Sequence, residues 1–413
     1  MTTLRIRAQI RRLTGLLAGT AAVLAGMLIP AGGSAQAATT ATVPTGAVFN
    51  KPTGSTAEQQ AIRTQVQTIV ANADSGSIIR VAMYHLWDDG LANDLVAAKD
   101  RGVNVRLVLD HSTLDYPSSY NILKAALGTS TGTASWVKLC TSGSSCLGPA
   151  GTGINHNKWL LASSVGGGAQ TNVVAQLTSN LTPSNYSKYW NSSVTVAGNA
   201  DLYNGYVGYF NKLQAESRGS WSYTYGNAGE YKYYFFPRAG STESSDTIVN
   251  ALDNVTCRYS DASGAHQTSI HIAMLKITRQ AVADKLKSLG AAGCVVDIVY
   301  SETDSGTWPV LHSTGLTNRC YQHDNDADSS TPNRIVHSKN MLISGMYADV
   351  VQKVMWTGSH NFSGPALRNN DEAMLRITNA SVYAAFESNF QAARAAAVPG
   401  TSDNVTICKT ESS

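Results

Sequence analysis

The sequence predicts an α/β fold of two similar lobes, each a mixed, largely parallel sheet flanked by helices, with the lobes related by a pseudo-two-fold axis. Three observations carry this. A strand–helix–strand pattern occurs twice, the second half repeats the motifs of the first at a fixed offset, and the apolar content can fill two cores. Of 413 residues, 43% are hydrophobic and only 14% are charged, against the usual quarter or so. The length suits two or three domains.

The first forty residues stand apart from this fold. Arg5, Arg7, Arg11 and Arg12 precede an apolar run from Leu16 to Ile29, and Ser34 to Ala38 offers a small-residue cleavage site after Ala37. Residues 1–37 therefore read as a secretory signal peptide. The run is short and broken by Gly26 and Pro30, which argues against a membrane anchor. Without its four arginines the chain keeps 27 of its 31 basic residues against 28 acidic ones. The basic surplus expected of a non-specific nucleic-acid binder is missing. Six cysteines in an exported chain read as disulfides. Close spacing pairs Cys140 with Cys146. Spacing leaves the other four open, and Cys257–Cys294 with Cys320–Cys408 is the expected arrangement. A zinc site finds no support, since there is no Cys-x-x-Cys pair.

The lobes are placed at 45–220 and 230–413, joined by a Tyr-rich linker, Ser220 to Phe236. Each opens with an aromatic, a proline and a Gly-Ser-Thr triplet: Phe49, Pro52, Gly54-Ser55-Thr56, then Phe236, Pro237, Gly240-Ser241-Thr242. Thr56 and Gln59 are expected to form a capping box. Ile62, Val66, Ile69 and Val70 then share one helix face, as do Ile248, Val249 and Leu252. Strands are expected from Ile78 to Met83 and from Ile270 to Met274. Helices follow around 89–101 and 279–290, then strands at 103–109 and 294–300. This order favours parallel pairing, and apolar runs such as Leu107-Val108-Leu109 suit strands covered on both faces.

Two strings carry the chemistry: Asn155-His156-Asn157-Lys158 and Val336-His337-Ser338-Lys339, each leading into an apolar run. On a strand, residues two apart face the same side, so each histidine and lysine project together. Each string has an Asn-containing turn downstream: Leu177-Thr178-Ser179-Asn180, then Asn191-Ser192-Ser193; and Gly358-Ser359-His360-Asn361, then Asn370-Asp371-Glu372. His156 and His337 lie 181 residues apart, as do Asn180 and Asn361. A repeat this long is a domain duplication. Glu372 is placed to accept from a histidine ring nitrogen and fix its tautomer.

On these motifs the chain resembles the phospholipase D superfamily, whose pattern is His-x-Lys-x-x-x-x-Asp, then Gly-Ser-x-Asn, then Asn-x-Glu. His156, Lys158, Asn180 and Asn191 match in the first half, and His337, Lys339, Gly358, Ser359, Asn361, Asn370 and Glu372 in the second. Ser163 and Ser344 stand where the family has Asp. Pairing Asn191 with Asn370 puts Ser193 opposite Glu372 and leaves His156 without an orienting carboxylate.

The resemblance implies that His156 attacks phosphorus, giving a phosphohistidine, and that His337 serves as acid and base. Lys158, Lys339, Asn180 and Asn361 would hold the phosphoryl oxygens. No metal or other cofactor is implied, since the lysines supply the charge. The expected substrate is a phosphatidylcholine-like phospholipid at a membrane or micelle surface, cleaved to phosphatidic acid with water or an alcohol as acceptor. The chain is expected to be secreted and monomeric. A metal-independent nuclease, with nucleic acid as partner, is the alternative, and a degenerate binding protein the third reading.

Other residues are expected to be bland. His85, His111, His266, His271, His312, His323 and His360 read as packed or surface side chains, with His360 beside Asn361 and so near the site. Asp324, Asp326 and Asp328 read as a solvated loop rather than a Ca²⁺ site. Trp159, Trp190 and Trp356 belong either to a substrate groove or to the core. The tyrosines from Tyr223 to Tyr234 either face a lipid interface or join the halves.

Overall fold

The computed structural model describes residues 42–320 and 335–399. The expected signal peptide, His323, the loop with Asp324, Asp326 and Asp328, and Cys408 lie outside the described residues.

The first sheet runs in the order Gly46–Asn50, Tyr189–Val196, Gln170–Leu177, Lys158–Val165, Ile78–Met83, Asn104–Leu109, Trp136–Leu139. The second repeats that order strand for strand: Tyr231–Phe235, Ala373–Ile377, Val350–Gly358, Lys339–Tyr347, Ser269–Ile277, Val295–Thr303, Leu316–Cys320. It adds Thr224–Ala228 at one edge and Val398–Pro399 at the other. The duplication read from the motifs is thus a duplication of sheet topology.

The sheets are mixed, but the expectation of largely parallel pairing fails outside the strand–helix–strand segments. Parallel ladders join 78–83, 104–109 and 136–139, and likewise 269–277, 295–303 and 316–320. The neighbours on the other side of each unit pair antiparallel. The turns explain this. Between 158–165 and 170–177 the chain reverses through Gly166, Gly167 and Gly168, all at positive φ; between 339–347 and 350–358 it reverses through Ala348 and Asp349, at φ 49° and 60°. Such short turns fit hairpins, and only antiparallel strands can be joined by them.

Helices fill three layers. Ala61–Ala71, Asp89–Asp100 and Ser118–Leu127 bury Ile62, Val66, Leu91, Leu95 and Leu123 on the outer face of the first sheet. Thr247–Leu252 and Gln280–Ala291 do the same for the second through Ile248, Leu252, Val282 and Leu286. Between the sheets lie Ala200–Ala215 and Ala380–Ala396, which touch strands of both. Their Tyr206, Phe210 and Phe386 share one core with Trp159, Val194, Met355 and Leu375. Trp159, Trp190 and Trp356 are all buried, so the tryptophans belong to the core. Among the described residues no helix is long and apolar enough to cross a membrane.

Cys140–Cys146 and Cys257–Cys294 are disulfides, as expected, and Cys320 is disulfide-bonded too. The capping box sits one residue earlier than expected. Ser55, not Thr56, is extended, and its hydroxyl accepts from the Glu58 N–H at 3.4 Å. The Glu58 carboxylate accepts from the Ser55 N–H at 2.8 Å. A carboxylate is the better acceptor for an exposed N–H, so Glu58 prevails over Gln59. Replacing a capping serine with alanine typically costs ~1 kcal/mol. Urea denaturation should show a loss of that size for Ser55→Ala and almost none for Thr56→Ala.

Candidate active site

Each histidine lies just before a central strand that its lysine opens, not on one strand with it as expected, and each string begins against the other lobe. Ile335 and Val336 pair in parallel with Tyr189 and Trp190 of the first sheet, and Asn155 bridges Asp371 of the second. The His337 N–H donates to the Trp190 carbonyl at 2.9 Å, and the His156 N–H to the Asp371 carbonyl at 3.0 Å. Residues 190 and 371 are again 181 apart. The crossing is reciprocal, so both histidines are fixed at the seam between the lobes by backbone bonds to the opposite lobe.

The next residue on each docking strand holds the ring. Both Glu372 carboxylate oxygens lie 2.9 Å from His156 Nδ1. The Asn191 Oδ1 lies 2.9 Å from His337 Nδ1. Asn191 donates its Nδ2 to the Asn185 carbonyl at 3.1 Å, and its oxygen accepts from the Thr178 hydroxyl at 3.0 Å. That fixes the oxygen toward His337. Asn191 is therefore the counterpart of Glu372, and the expected match of Ser193 to Glu372 is wrong by two residues. Ser193 donates to the Val48 carbonyl at 3.3 Å instead. His156, expected to lack a carboxylate, has one from across the seam, and His337 is the histidine without.

Lys158 and Lys339 are buried, at 0% and 3% exposure. Each donates to the carbonyl of its own histidine, at 2.8 and 2.6 Å. These bonds curl each ammonium back beside the imidazole two residues earlier. Burial, then Lys158 and Lys339, hold His156 well below the ordinary imidazole value. Burial, then Lys339, Lys158 and His156, do the same for His337. Each imidazole responds to both lysines, which brings the four groups into one electrostatic cluster. Burial lowers Lys158 to about 7 and raises Glu372 to about 7.

The remaining expected residues divide by role. Asn180 and Asn361 have buried side-chain oxygens with no partner, and Asn180 lines the cleft with His337. Asn370 accepts from the Ile154 N–H at 3.2 Å and donates to Glu372 at 3.2 Å, so it helps seat the His156 string. Ser359 bridges the neighbouring strand and the site: its hydroxyl accepts from the Ala373 N–H at 3.1 Å, and its side chain opposes the rise of the Glu372 carboxyl. Gly358 beside it is needed, because a Cβ there would come within 2.2 Å of the Ala373 carbonyl oxygen. His360 is buried against Phe236, and burial lowers it to about 3.

Several residues of the site went unread in the sequence. A cleft of about 750 Å³ opens beside His337, walled by Tyr84, His85, Trp87, Tyr116 and Tyr189. Tyr84 meets His156 edge-on at 5.3 Å, and Tyr189 stacks on His337 at 5.6 Å. His85, expected to be bland, stacks between Tyr84 and Trp87. The first three of these wall residues directly follow the parallel strand Ile78–Met83, at the end where α/β sheets bind ligands, and that placement was the available signal. Asp371 was also missed. Its carboxylate accepts from the Cys146 and Leu147 N–H groups, which ties the disulfide loop to the seam.

Two imidazoles with held Nδ1 atoms leave their Nε2 atoms for chemistry. Two ammoniums and two amide side chains beside them suit a phosphoryl group: one nitrogen to attack, one to carry a proton, and cations to balance the oxygens.

A family model described as "Cardiolipin synthase, PLD-like domain" matches residues 69–214 and 262–394. No curated protein matches in sequence. Among solved structures, the chain is similar to the phosphatidylserine synthase of Haemophilus influenzae Rd KW20, at TM-score 0.55 and 12% identity, covering 86% of this chain and 87% of that one. It is also similar to the polyphosphate kinase of Porphyromonas gingivalis, at TM-score 0.53 and 12% identity, covering 84% of this chain. The chain spans 49% of that kinase. These likenesses are of fold.

Two outcomes follow from the geometry. Glu372→Gln should lower kcat for phosphodiester cleavage by about 100-fold or more, within the range typical of lost acid–base support, while Ser193→Ala stays within about twofold. The buried Lys158 destabilises the fold, because its folded value of about 7 lies below the ordinary 10.5. The cost is full below about pH 7 and is relieved as pH rises toward 10.5, because the unfolded chain then binds more protons. Lys158→Met should therefore raise Tm at pH 7 while abolishing activity, and its advantage should shrink across that window.

Proposed function

This chain belongs to the phospholipase D-like family, and from that premise we propose that it is a secreted phosphodiesterase that hydrolyses phosphatidylcholine-like phospholipids to phosphatidic acid. The observation that carries the mechanism is the unequal support of the two histidines. When His156 Nε2 bonds to phosphorus, the ring becomes positive, and the buried Glu372 at 2.9 Å stabilises that charge. Asn191 is neutral and offers His337 no such help, so His337 gives up a proton readily. His156 is the nucleophile and His337 the acid.

In the first step the N–P bond forms and the P–O bond to the alcohol breaks, and the His337 proton goes to the leaving oxygen. The bound phosphodiester anion helps keep that proton on His337 beforehand, since it offsets Lys158 and Lys339. In the second step His337 takes a proton from water, which attacks phosphorus and frees His156. An alcohol in place of water gives transfer. Lys158, Lys339, Asn180 and Asn361 hold the equatorial oxygens throughout.

The cleft supports lipid over nucleic acid. Asp89 lines it beside Trp87 and Tyr116, with Asp88 and Glu302 paired to Arg63 and Lys276, and among the described residues its lining has no lysine or arginine. The aromatic rings with Asp89 suit a quaternary ammonium better than a polyanion. Secretion is supported by the two described disulfides and the leader-like start of the sequence.

The test is choline release from phosphatidylcholine vesicles beside nicking of plasmid DNA, with EDTA present in a parallel set. Choline release that survives EDTA is expected. Nicking without choline release would replace the lipid reading with the nuclease one. His156→Ala and His337→Ala should each abolish turnover. With a labelled substrate bearing a good leaving group, His337→Ala should accumulate phosphohistidine and His156→Ala should not. The opposite labelling pattern would exchange the two roles.

A further inference from the structure

A second polar cavity, of about 380 Å³, lies in the C-terminal half, away from the histidines. Tyr347 lines it, and Tyr347 and Lys339 end the same strand. Eight residues at about 3.3 Å each set the cavity roughly 26 Å from the reaction centre. Its walls carry three cations, Lys232, Arg238 and Arg376, and no carboxylate. None of the three forms an ion pair among the described residues. Tyr223, Tyr225 and Tyr234 complete it.

The cations are placed rather than scattered. Lys232 and Arg376 stand directly opposite in the ladder between 231–235 and 373–377. Like charges in that relation destabilise a sheet. Lys232 Nζ lies 4.9 Å from the Tyr225 ring and 5.3 Å from Tyr234, and the Arg238 guanidinium lies 4.8 Å from Tyr223. Arg238 is also braced by the Thr247 hydroxyl and the Ser244 carbonyl, each at 3.2 Å. Arg376 Nε is buried with no partner. Rings orient these cations but leave their charge uncancelled.

We infer that this pocket is a second anion site, which takes a phosphate-bearing ligand. Three cations with fork-shaped arginine donors and tyrosine hydroxyls match a phosphate's charge and its several oxygens. The volume is within the range of small-ligand sites and exceeds a bare phosphate, so the phosphate carries a further group, such as a lipid glycerol or a small alcohol. Burial and Arg376 hold Lys232 below its ordinary value, a strain that a bound anion relieves. The inference stands independently of the proposed reaction.

Calorimetric titration of inorganic phosphate into the full chain and into K232Q/R376Q tests it. One more binding event is expected in the wild type than in the variant, with any activity of the histidine site unchanged within about twofold. In phosphate-free buffer the variant should melt above the wild type, because the facing charges are gone, and phosphate should raise the wild-type Tm more. Tyr225→Ala, at an exposed position, should weaken the same event several-fold without disturbing the sheet. Sedimentation with vesicles containing phosphatidic acid separates the sources. Loss of co-sedimentation in the variant marks a lipid headgroup, and loss of phosphate binding alone marks a soluble phosphate compound. Equal stoichiometry and equal Tm response in wild type and variant would overturn the site.

Discussion

The site depends on one exchange of backbone bonds. Each His-x-Lys string docks on the other lobe before entering its own sheet, His156 on Asp371 just before strand 373–377 and His337 on Trp190 in strand 189–196. The residue after each docking point supplies the ring's partner, Glu372 or Asn191. Position and tautomer of each histidine are therefore set by the opposite lobe. Neither lobe alone holds a complete site, and the shared core between the sheets keeps the seam in register.

This arrangement is costly to the fold. Two lysines, three imidazoles and three carboxylates are buried at the seam, where charge is poorly solvated. Burial is the first cause of every shift there, lowering the lysines and histidines and raising Asp371 and Glu372. Preorganised charge is what a phosphoryl group undergoing transfer requires. The disulfide loop adds rigidity where the cost is concentrated. Ser145 donates to the Asn369 carbonyl at 2.7 Å, and the loop's amides satisfy Asp371. Gly153 is needed there, since a Cβ would meet the Asn369 carbonyl oxygen at 2.3 Å.

The duplicated strands, their flanking helices and both His-x-Lys pairs were legible because apolar periodicity and a constant offset are local signals. The same offset, applied to Glu372, lands on Asn191. Pairing Asn191 with Asn370 by residue type concealed this and misplaced the carboxylate. The antiparallel majority was missed because strands look alike whichever way they pair, and the information sat in short turns such as Ala348-Asp349. The exchange across the seam left no mark in composition. Residues 154–156 and 335–337 find their cross-seam partners 146 or more residues away. The tyrosine-rich linker was noticed, but its cations Arg238 and Arg376 lie outside it and reach the same pocket only through strand pairing and the turn after Pro237.

The most direct test of the shared site is a crystal structure with orthovanadate, which adopts the five-coordinate geometry of phosphoryl transfer. The account predicts one vanadate at the seam, bonded to His156 Nε2 on one apex, with His337 Nε2 facing the other and Lys158 and Lys339 on the equatorial oxygens. Vanadate held by one histidine alone, with the other ring turned into a separate cavity, would contradict it.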